Sequence, residues 1–376
     1  MGVADDELVP VSWSTDTNVN VGWKTKLPGR GSSCPIVIGD RVVLTCASGY
    51  RQDRLHVLCV DVESGQRRWE RQLWATGRTQ THPLITPAAP TPVSDGKRIY
   101  ASFSTNDLAC FDLDGNLLWL RGLMLEYPNA NNSLGLASSP IIVDDVLVVQ
   151  IESDSQALAL GLDAVTGATL WHVDRPERAN WTSPVVLHNE AGEAVVILQS
   201  SQGVAGYNPR LGEELWRYDR GAATQPSSIT AGTVAFVPSN GLVALRQTPN
   251  SEPYVLWQNS RLGPSTPTPL LYEGRVYVVS GAVLKCADAE TGKLIWQLRL
   301  KGRRFSGSPV AAAGHLYLFS EDGLAQVVEL GGQRGRVVSS NDFGETLLAS
   351  PAIARGALYV RSDEHLWKIA STPSGG

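Results

Sequence analysis

Few residues of this chain stand at the spacings that chemistry needs. The six histidines (His56, His82, His172, His188, His315, His365) share no recurring interval, and there is no Gly-x-Ser-x-Gly, phosphate-binding loop or His-Glu-x-x-His motif. The stretch "EYPNANNS", Glu126 to Ser133, is rich in oxygen donors suited to Ca²⁺, although a polar loop of this kind also serves as a plain turn. Arg303 and Arg304 could hold an anionic group in a bidentate clamp, or could belong to a solvated loop with Lys301. Trp181 in "RANWTSPVV" could be a stacking plate for a quinone, sugar or peptide ring, or could plug a channel as packing. No residue stands out as catalytic or as a metal ligand.

Composition narrows the classes further. Thirty-two Lys and Arg against 37 Asp and Glu leave a net charge of −5 with no long run of either sign, unlike the basic footprint of a nucleic-acid binder. No stretch approaches the roughly 18 consecutive apolar residues of a membrane helix. The five cysteines (Cys34, Cys46, Cys59, Cys110, Cys286) form no CxxC and no adjacent pair, so buried structural thiols are expected rather than a disulfide framework. The opening "MGVADDELVP" is acidic without an apolar core, which leaves two expectations: an intracellular protein, or a leader outside these residues.

A repeat must position whatever site exists. "ADAETGKLIW" places Asp288, Gly292 and Trp296 at offsets that recur as Asp61, Gly65 and Trp69; Asp163, Gly167 and Trp171; and Asn208, Gly212 and Trp216. Asp112, Gly115 and Trp119 form a unit one residue shorter. Upstream of these lie Cys34-Pro35, Thr91-Pro92, Ser139-Pro140, Ser183-Pro184, Thr268-Pro269, Ser308-Pro309 and Ser350-Pro351, with Gln225-Pro226 as a degenerate member. The mean interval of about 45 residues fits a four-stranded propeller blade. Period-two alternation, as in "RVYVV" and "HLYLF", excludes helical repeats of similar length.

The predicted unit runs from strand a, starting at the Pro, to strand d, carrying the Trp. Pro is tolerated there because strand a is the inner edge of its blade. The last unit lacks a d strand, whereas "NVGWKTKLPG" opens the chain with a d-like strand bearing Trp23. The prediction is an all-β, eight-bladed propeller of four-stranded antiparallel blades, closed by that N-terminal strand, since closure removes exposed edges. It spans residues 20–371, with an N-terminal extension at 1–19 and a flexible tail at 372–376. Blade seven, "GGQRGRVV", is expected to be the least regular, with Val337 at the Trp position.

These residues resemble the pyrroloquinoline-quinone (PQQ) type propeller repeat, Ala-x-Asp-x-x-Thr-Gly-x-x-x-Trp, over about residues 20 to 371. The resemblance extends to the outer-membrane assembly lipoprotein type and to secreted planctomycete-type PQQ-like proteins. It implies two branches: dehydrogenases that hold PQQ and Ca²⁺ in the funnel against a Trp and a ring of two adjacent disulfide-bonded cysteines, and non-enzymatic members. This chain has no adjacent cysteines and no long covering loops of the dehydrogenase kind.

In a propeller the loops from strand d to the next strand a surround the funnel mouth. The candidates there are Arg30 and Ser32, Thr86, Asn131, Asn132 and Ser138, Trp181, Gln225, Thr266, Arg303 and Arg304 with Phe305, and Glu345. The longest insertion, Leu73 to Pro90, holds Trp74 and His82 and is a candidate partner-binding lip. The expected function is a non-catalytic binding or scaffold module for a protein, peptide or small ligand at the funnel loops, with no cofactor. Two alternatives remain: a PQQ- and Ca²⁺-dependent dehydrogenase without the cysteine pair, and a glycan-binding propeller using Trp181, Trp74 and Tyr127. By resemblance the location is periplasmic or secreted, with a cytoplasmic one left open by the missing leader.

Overall fold

Each Asp-Gly-Trp unit closes one blade and welds it to the next. In the turn after strand c, Asp61 Oδ1 accepts the backbone N–H groups of Glu63 and Ser64 at 3.0 and 2.8 Å. Asp163 and Asp288 hold their turns in the same way, each also accepting the hydroxyl of Thr166 or Thr291. These bonds force the following glycine to positive φ, +69° at Gly65, where only glycine is unstrained. The missing side chain is also a docking place: a Cβ on Gly65 would lie 2.6 Å from the ring of Trp23, which belongs to the preceding blade. Trp69 over Gly115, Trp119 over Gly167, Trp171 over Gly212 and Trp257 over Gly292 repeat the contact. The indole N–H then donates to a carbonyl of the same turn, as Trp23 does to Val62 O at 3.0 Å and Trp171 to Pro209 O at 2.8 Å.

The computed structural model describes residues 2–4, 8–247 and 252–371, and they form eight antiparallel blades. Blade one, for example, comprises Ile36–Ile38, Arg41–Ser48, Arg54–Asp61 and Arg67–Trp74. The ring closes as expected: Val21–Lys26 pairs antiparallel with His365–Ala370 and becomes strand d of blade eight. Helix is confined to Leu123–Glu126 and a 3₁₀ turn at Ser260–Leu262 among the described residues. The core lies at the seams between blades, where clusters such as Tyr100, Cys110, Leu147 and Leu160 combine strands of neighbouring sheets. The predicted tail, 372–376, lies outside the described residues.

Three details differ from expectation. Strand a begins one residue after the Pro in the regular blades, so the residue before the Pro belongs to the funnel wall. In blade five strand a is Ile229–Ala231, and the residue equivalent to the others' Ser or Thr is Ser227 rather than Gln225. In blade seven the register skip after Val327 puts Ser339, not Val337, at the Trp position. Trp13 from the N-terminal segment fills that seam instead. It is 5% exposed, packs with Phe343, Leu358 and Trp367, and takes its backbone anchor from Asn341 Oδ1 at 3.0 Å. Ser339 is small enough to admit it, and its hydroxyl donates to Val11 O.

A small residue lies directly across from six of the seven Trp on strand c, among them Ala244 opposite Trp257, while Trp23 faces Lys368. Cys59, Cys110 and Cys286 stand there opposite Trp69, Trp119 and Trp296, as Gly161 and Gly206 do opposite Trp171 and Trp216. Burial pushes the Cys59 and Cys110 thiols up to about 12. Cys46 is buried as well, and Cys34 alone is partly exposed.

Candidate functional site

Strands a of all eight blades converge on a central channel, and the residue ahead of each opens into it. A hydrogen-bonded belt results. Cys34 N–H donates to Thr91 Oγ1 at 3.0 Å, Thr91 to Ser139 Oγ at 2.9 Å, Ser139 to Ser183 at 2.9 Å and Ser183 to Ser227 at 2.9 Å. Ser227 donates to Thr268 at 3.1 Å, Thr268 to Ser308 at 3.0 Å, and Ser308 to Ser350 at 2.7 Å. Each link joins one blade to the next, so the hydroxyl ring is both a clasp and the floor of a funnel.

Above this floor lies a cavity of about 710 Å³. Its walls include Trp181, Gln225, Arg303, Arg304, His82 and Phe305, with Ser32 and Thr266, so these sequence candidates are brought together. Phe305 is buried in the seam of blades six and seven and supports the wall. The side chains of Gln225, Arg303 and Arg304 are exposed and have no hydrogen-bond or ion-pair partner among the described residues.

The other candidates stand elsewhere. Arg30 pairs with Asp363 at 3.2 Å on the rim. Glu345 accepts from Ser362, from His365 at 2.9 Å and from Lys24 at 3.1 Å; burial alone would raise its carboxyl, but these bonds outweigh it and hold the group below its ordinary range. Asn132 caps its own turn by accepting Leu134 N–H at 3.0 Å, and Asn131 lies in the same turn. Thr86 is buried and Ser138 partly buried outside the cavity wall. Trp74 is 62% exposed at the end of blade one, with the Arg54 guanidinium over its ring.

The insertion Leu73 to Pro90 straps the mouth. Asp107 anchors its start by accepting the Thr76 N–H and hydroxyl, the N–H of His82 donates to Leu134 O at 3.0 Å, and Ala88 O receives the N–H groups of Ser32 and Ser33. Leu84, Ile85 and Ala89 thereby become cavity wall. Gly135, at φ +86°, packs so tightly that a Cβ would meet Thr81 at 2.8 Å, and its carbonyl accepts the Trp181 indole N–H at 2.7 Å. The indole edge is fixed and its partly exposed ring faces the funnel.

Sequence reasoning missed three groups. The belt hydroxyls were quoted only as strand markers, yet a hydroxyl at six of the eight starts was itself the signal. Glu321, from a turn between strands, lines the cavity and accepts the Ser306 hydroxyl at 2.7 Å. Outside the funnel, Ser48 Oγ lies 2.7 Å from His56 Nε2 and His56 Nδ1 2.7 Å from Glu70 Oε1, a relay across three strands of blade one whose carboxylate also serves Arg67. No spacing in one strand could reveal a set assembled by pairing.

Comparisons with known proteins agree with this architecture. The family model described as outer membrane protein assembly factor BamB matches residues 3–152, 129–284 and 280–373. A protein named outer membrane protein assembly factor BamB from Shewanella oneidensis is 26% identical over 301 residues, covering 73% of this chain and 71% of the relative. One of the same name from Alkalilimnicola ehrlichii is 28% identical over 160 residues, so the chain aligns with only 36% of that relative's length and 42% of its own. Among solved structures, BamB from Moraxella catarrhalis superposes with a TM-score of 0.65 at 15% identity, covering 94% of this chain and 99% of that one. The quinohemoprotein alcohol dehydrogenase ADHIIG from Pseudomonas putida HK5 gives a TM-score of 0.71 at 13% identity, covering 98% and 79%. At such identities both likenesses show the fold alone. The chain belongs to the family described as outer membrane protein assembly factor BamB.

Proposed function

We propose that this member of the BamB family is a binding and scaffold propeller that receives a protein partner at its funnel mouth, outside the cytoplasm, in the assembly of outer membrane proteins. The names of its relatives support the setting. The observation that carries the site is the strapped funnel, where Gln225, Arg303 and Arg304 are exposed without partners among the described residues beside the fixed ring of Trp181. No helix among the described residues is long and apolar enough to cross a membrane.

The residues around Trp181 do not fit a calcium–quinone centre. The carboxylate in the cavity wall, Glu321, accepts the Ser306 hydroxyl at 2.7 Å, and Glu152, beside Asn180, is fully buried and bonded to the equally buried Arg175 at 2.8 Å. Asn180 is buried too, and its amide N–H₂ donates to Thr182 Oγ1 and Gln199 O, both at 2.9 Å. The Glu152–Asn180 pair is thus neutralised by a guanidinium and withdrawn from the funnel, Glu321 is left as a single carboxylate in the wall, and no adjacent cysteines are present to form a second stacking face.

A photo-crosslinking residue at Gln225 tests the reading against one at Leu211, an exposed position in a turn of blade four. Protein adducts specific to Gln225 in cells are the expected result. Adducts from Leu211 alone, or saturable Ca²⁺-dependent PQQ binding abolished by Trp181→Ala, would overturn it.

A further inference from the structure

We infer that the funnel floor is an anion-recognising ring and that the group it seats is a carboxylate carried by an extended acidic peptide segment of the partner. This rests on the reading that the funnel is where the partner binds. Seven belt hydroxyls each accept a backbone N–H from the neighbouring blade, and none of their seven protons has an acceptor among the described residues. All seven residues are half-buried, and six of them line the same cavity as Arg303 and Arg304. What the floor offers is therefore a ring of unused O–H donors beneath two unpaired guanidinium groups.

Donors without acceptors select a ligand rich in acceptors, and guanidinium groups favour a planar anion. The acidic residue of the wall, Glu321, already receives the Ser306 hydroxyl. This cationic lining stands against the chain's net charge of −5, so it is a local feature rather than a reflection of bulk composition.

The rest of the funnel favours a peptide over a free small anion. A cavity of about 710 Å³ walled partly by Leu84, Ile85 and Trp181 is far larger than one carboxylate or phosphate needs, and it offers apolar surface to flanking side chains. The inner strand edges also accept extended backbone. The chain's own Val3–Ala4 pairs in parallel with Val310–Ala312 just past the belt, with Ala311 N–H donating to Gly2 O at 2.7 Å.

The test uses the full chain and two fluorescein-labelled octapeptides, one of alternating Glu and Ala and the other with Gln replacing Glu, read by anisotropy at low and moderate salt. The Glu peptide is expected to bind about tenfold or more tightly than the Gln peptide, and the Arg303→Ala/Arg304→Ala variant to lose about tenfold or more in affinity, with salt weakening the remainder. Ser308→Ala is expected to weaken binding while Ser308→Thr, which keeps the hydroxyl, retains it. Arg336→Ala, on the exposed outer strand of blade seven, is expected to change nothing.

Equal binding of both peptides, or indifference to the double arginine change, would overturn the anion assignment while leaving the funnel as a binding site. Saturable binding of inorganic phosphate at the arginines without binding of the Glu peptide would overturn the peptide assignment. Binding of neither peptide, with no Gln225 crosslink in cells, would overturn the underlying reading as well.

Discussion

Trp13 is the sharpest test of how this ring is held shut. Seven strands d carry a Trp that seals the next seam, whereas blade seven carries Ser339, and Trp13 enters that gap from a segment remote in sequence. Burying an indole removes about 200 Å² from water, worth at most about 5 kcal/mol at 25 cal/mol per Å². Truncating a buried Trp to Ala costs about 3–5 kcal/mol, so Trp13→Ala is expected to lose about 4 kcal/mol. With an unfolding entropy near 2 cal/mol/K per residue, that is a fall of about 5 °C in Tm for a chain of this length. Trp74→Ala, at a side chain 62% exposed, is the control and should cost under about 1 kcal/mol. Hydrogen exchange localises the effect: amides of Leu358–Val360 should lose protection first, since they share the seam. Trp13→Phe separates packing from hydrogen bonding. The Trp13 indole N–H has no partner among the described residues, so Phe keeps most of the packing at little cost, while Trp171→Phe also removes the 2.8 Å bond to Pro209 O. A Trp13→Ala Tm within about 1 °C of the Trp74→Ala value would refute the role given to this residue.

Further outcomes follow from the same packing. Gly65→Ala should destabilise by about 2 kcal/mol or more in urea unfolding, because it adds a clash with Trp23 to the positive-φ strain; Gly39→Ala, at φ +58° with open space around it, should cost only about 1 kcal/mol. In the native protein one thiol of five, Cys34, should react with a thiol reagent, and all five after denaturation, since burial holds the others protonated and covered. The turn carboxylates Asp61, Asp163 and Asp288 are held low by hydrogen bonds from Ser64, Thr166 and Thr291 backbone and hydroxyl groups. A depressed folded pKa gives stability that is present above the unfolded value near 3.9 and is lost as pH falls through the folded value. Asp163→Asn keeps the acceptor but not the titration, so its Tm should fall less than the parent's between about pH 5 and pH 3.

The fold was legible because one contact is made five times. Asp holds a turn, Gly leaves a flat place in it, and the Trp of the previous blade covers that place, so all three must recur at fixed offsets. Legibility failed where another part of the chain supplied the contact. Val337 looked like the Trp position by counting from the turn, but the register skip moves the position to Ser339, and nothing local announces that Trp13 will fill it. In blade five, counting from Pro226 pointed to Gln225 as the wall marker, whereas the pairing of Ile229–Ala231 places Ser227 there. The candidate site divided for a similar reason. Gln225, Arg303 and Arg304 reach the cavity because their loops leave them without partners among the described residues, Trp181 because it is held by its edge, and His82 while accepting Leu84 N–H in its own turn at 3.2 Å. Arg30 and Glu345 lie in comparable loops but are drawn aside by Asp363 and by His365, partners whose proximity depends on tertiary pairing.

The near-symmetry of the ring also says where selectivity must come from. A belt of similar hydroxyls presents the same donor pattern to a ligand in any rotation about the channel, so it can recognise an acceptor-rich group but cannot orient one. Orientation requires the places where the eightfold pattern breaks. These are Cys34 in the belt, the strap from Leu73 to Pro90 over one side, Trp181 fixed against Gly135, Arg303 and Arg304 ahead of blade seven, and the strand Val3–Ala4 laid against that same blade. The guanidinium pair and the occupied inner edge both belong to blade seven, the blade whose outer seam is also irregular. On the proposed reading, a ligand entering the funnel meets its charge, its stacking surface and its available strand edges in a fixed angular order, and perturbing blade seven should weaken anion binding and change its orientation together.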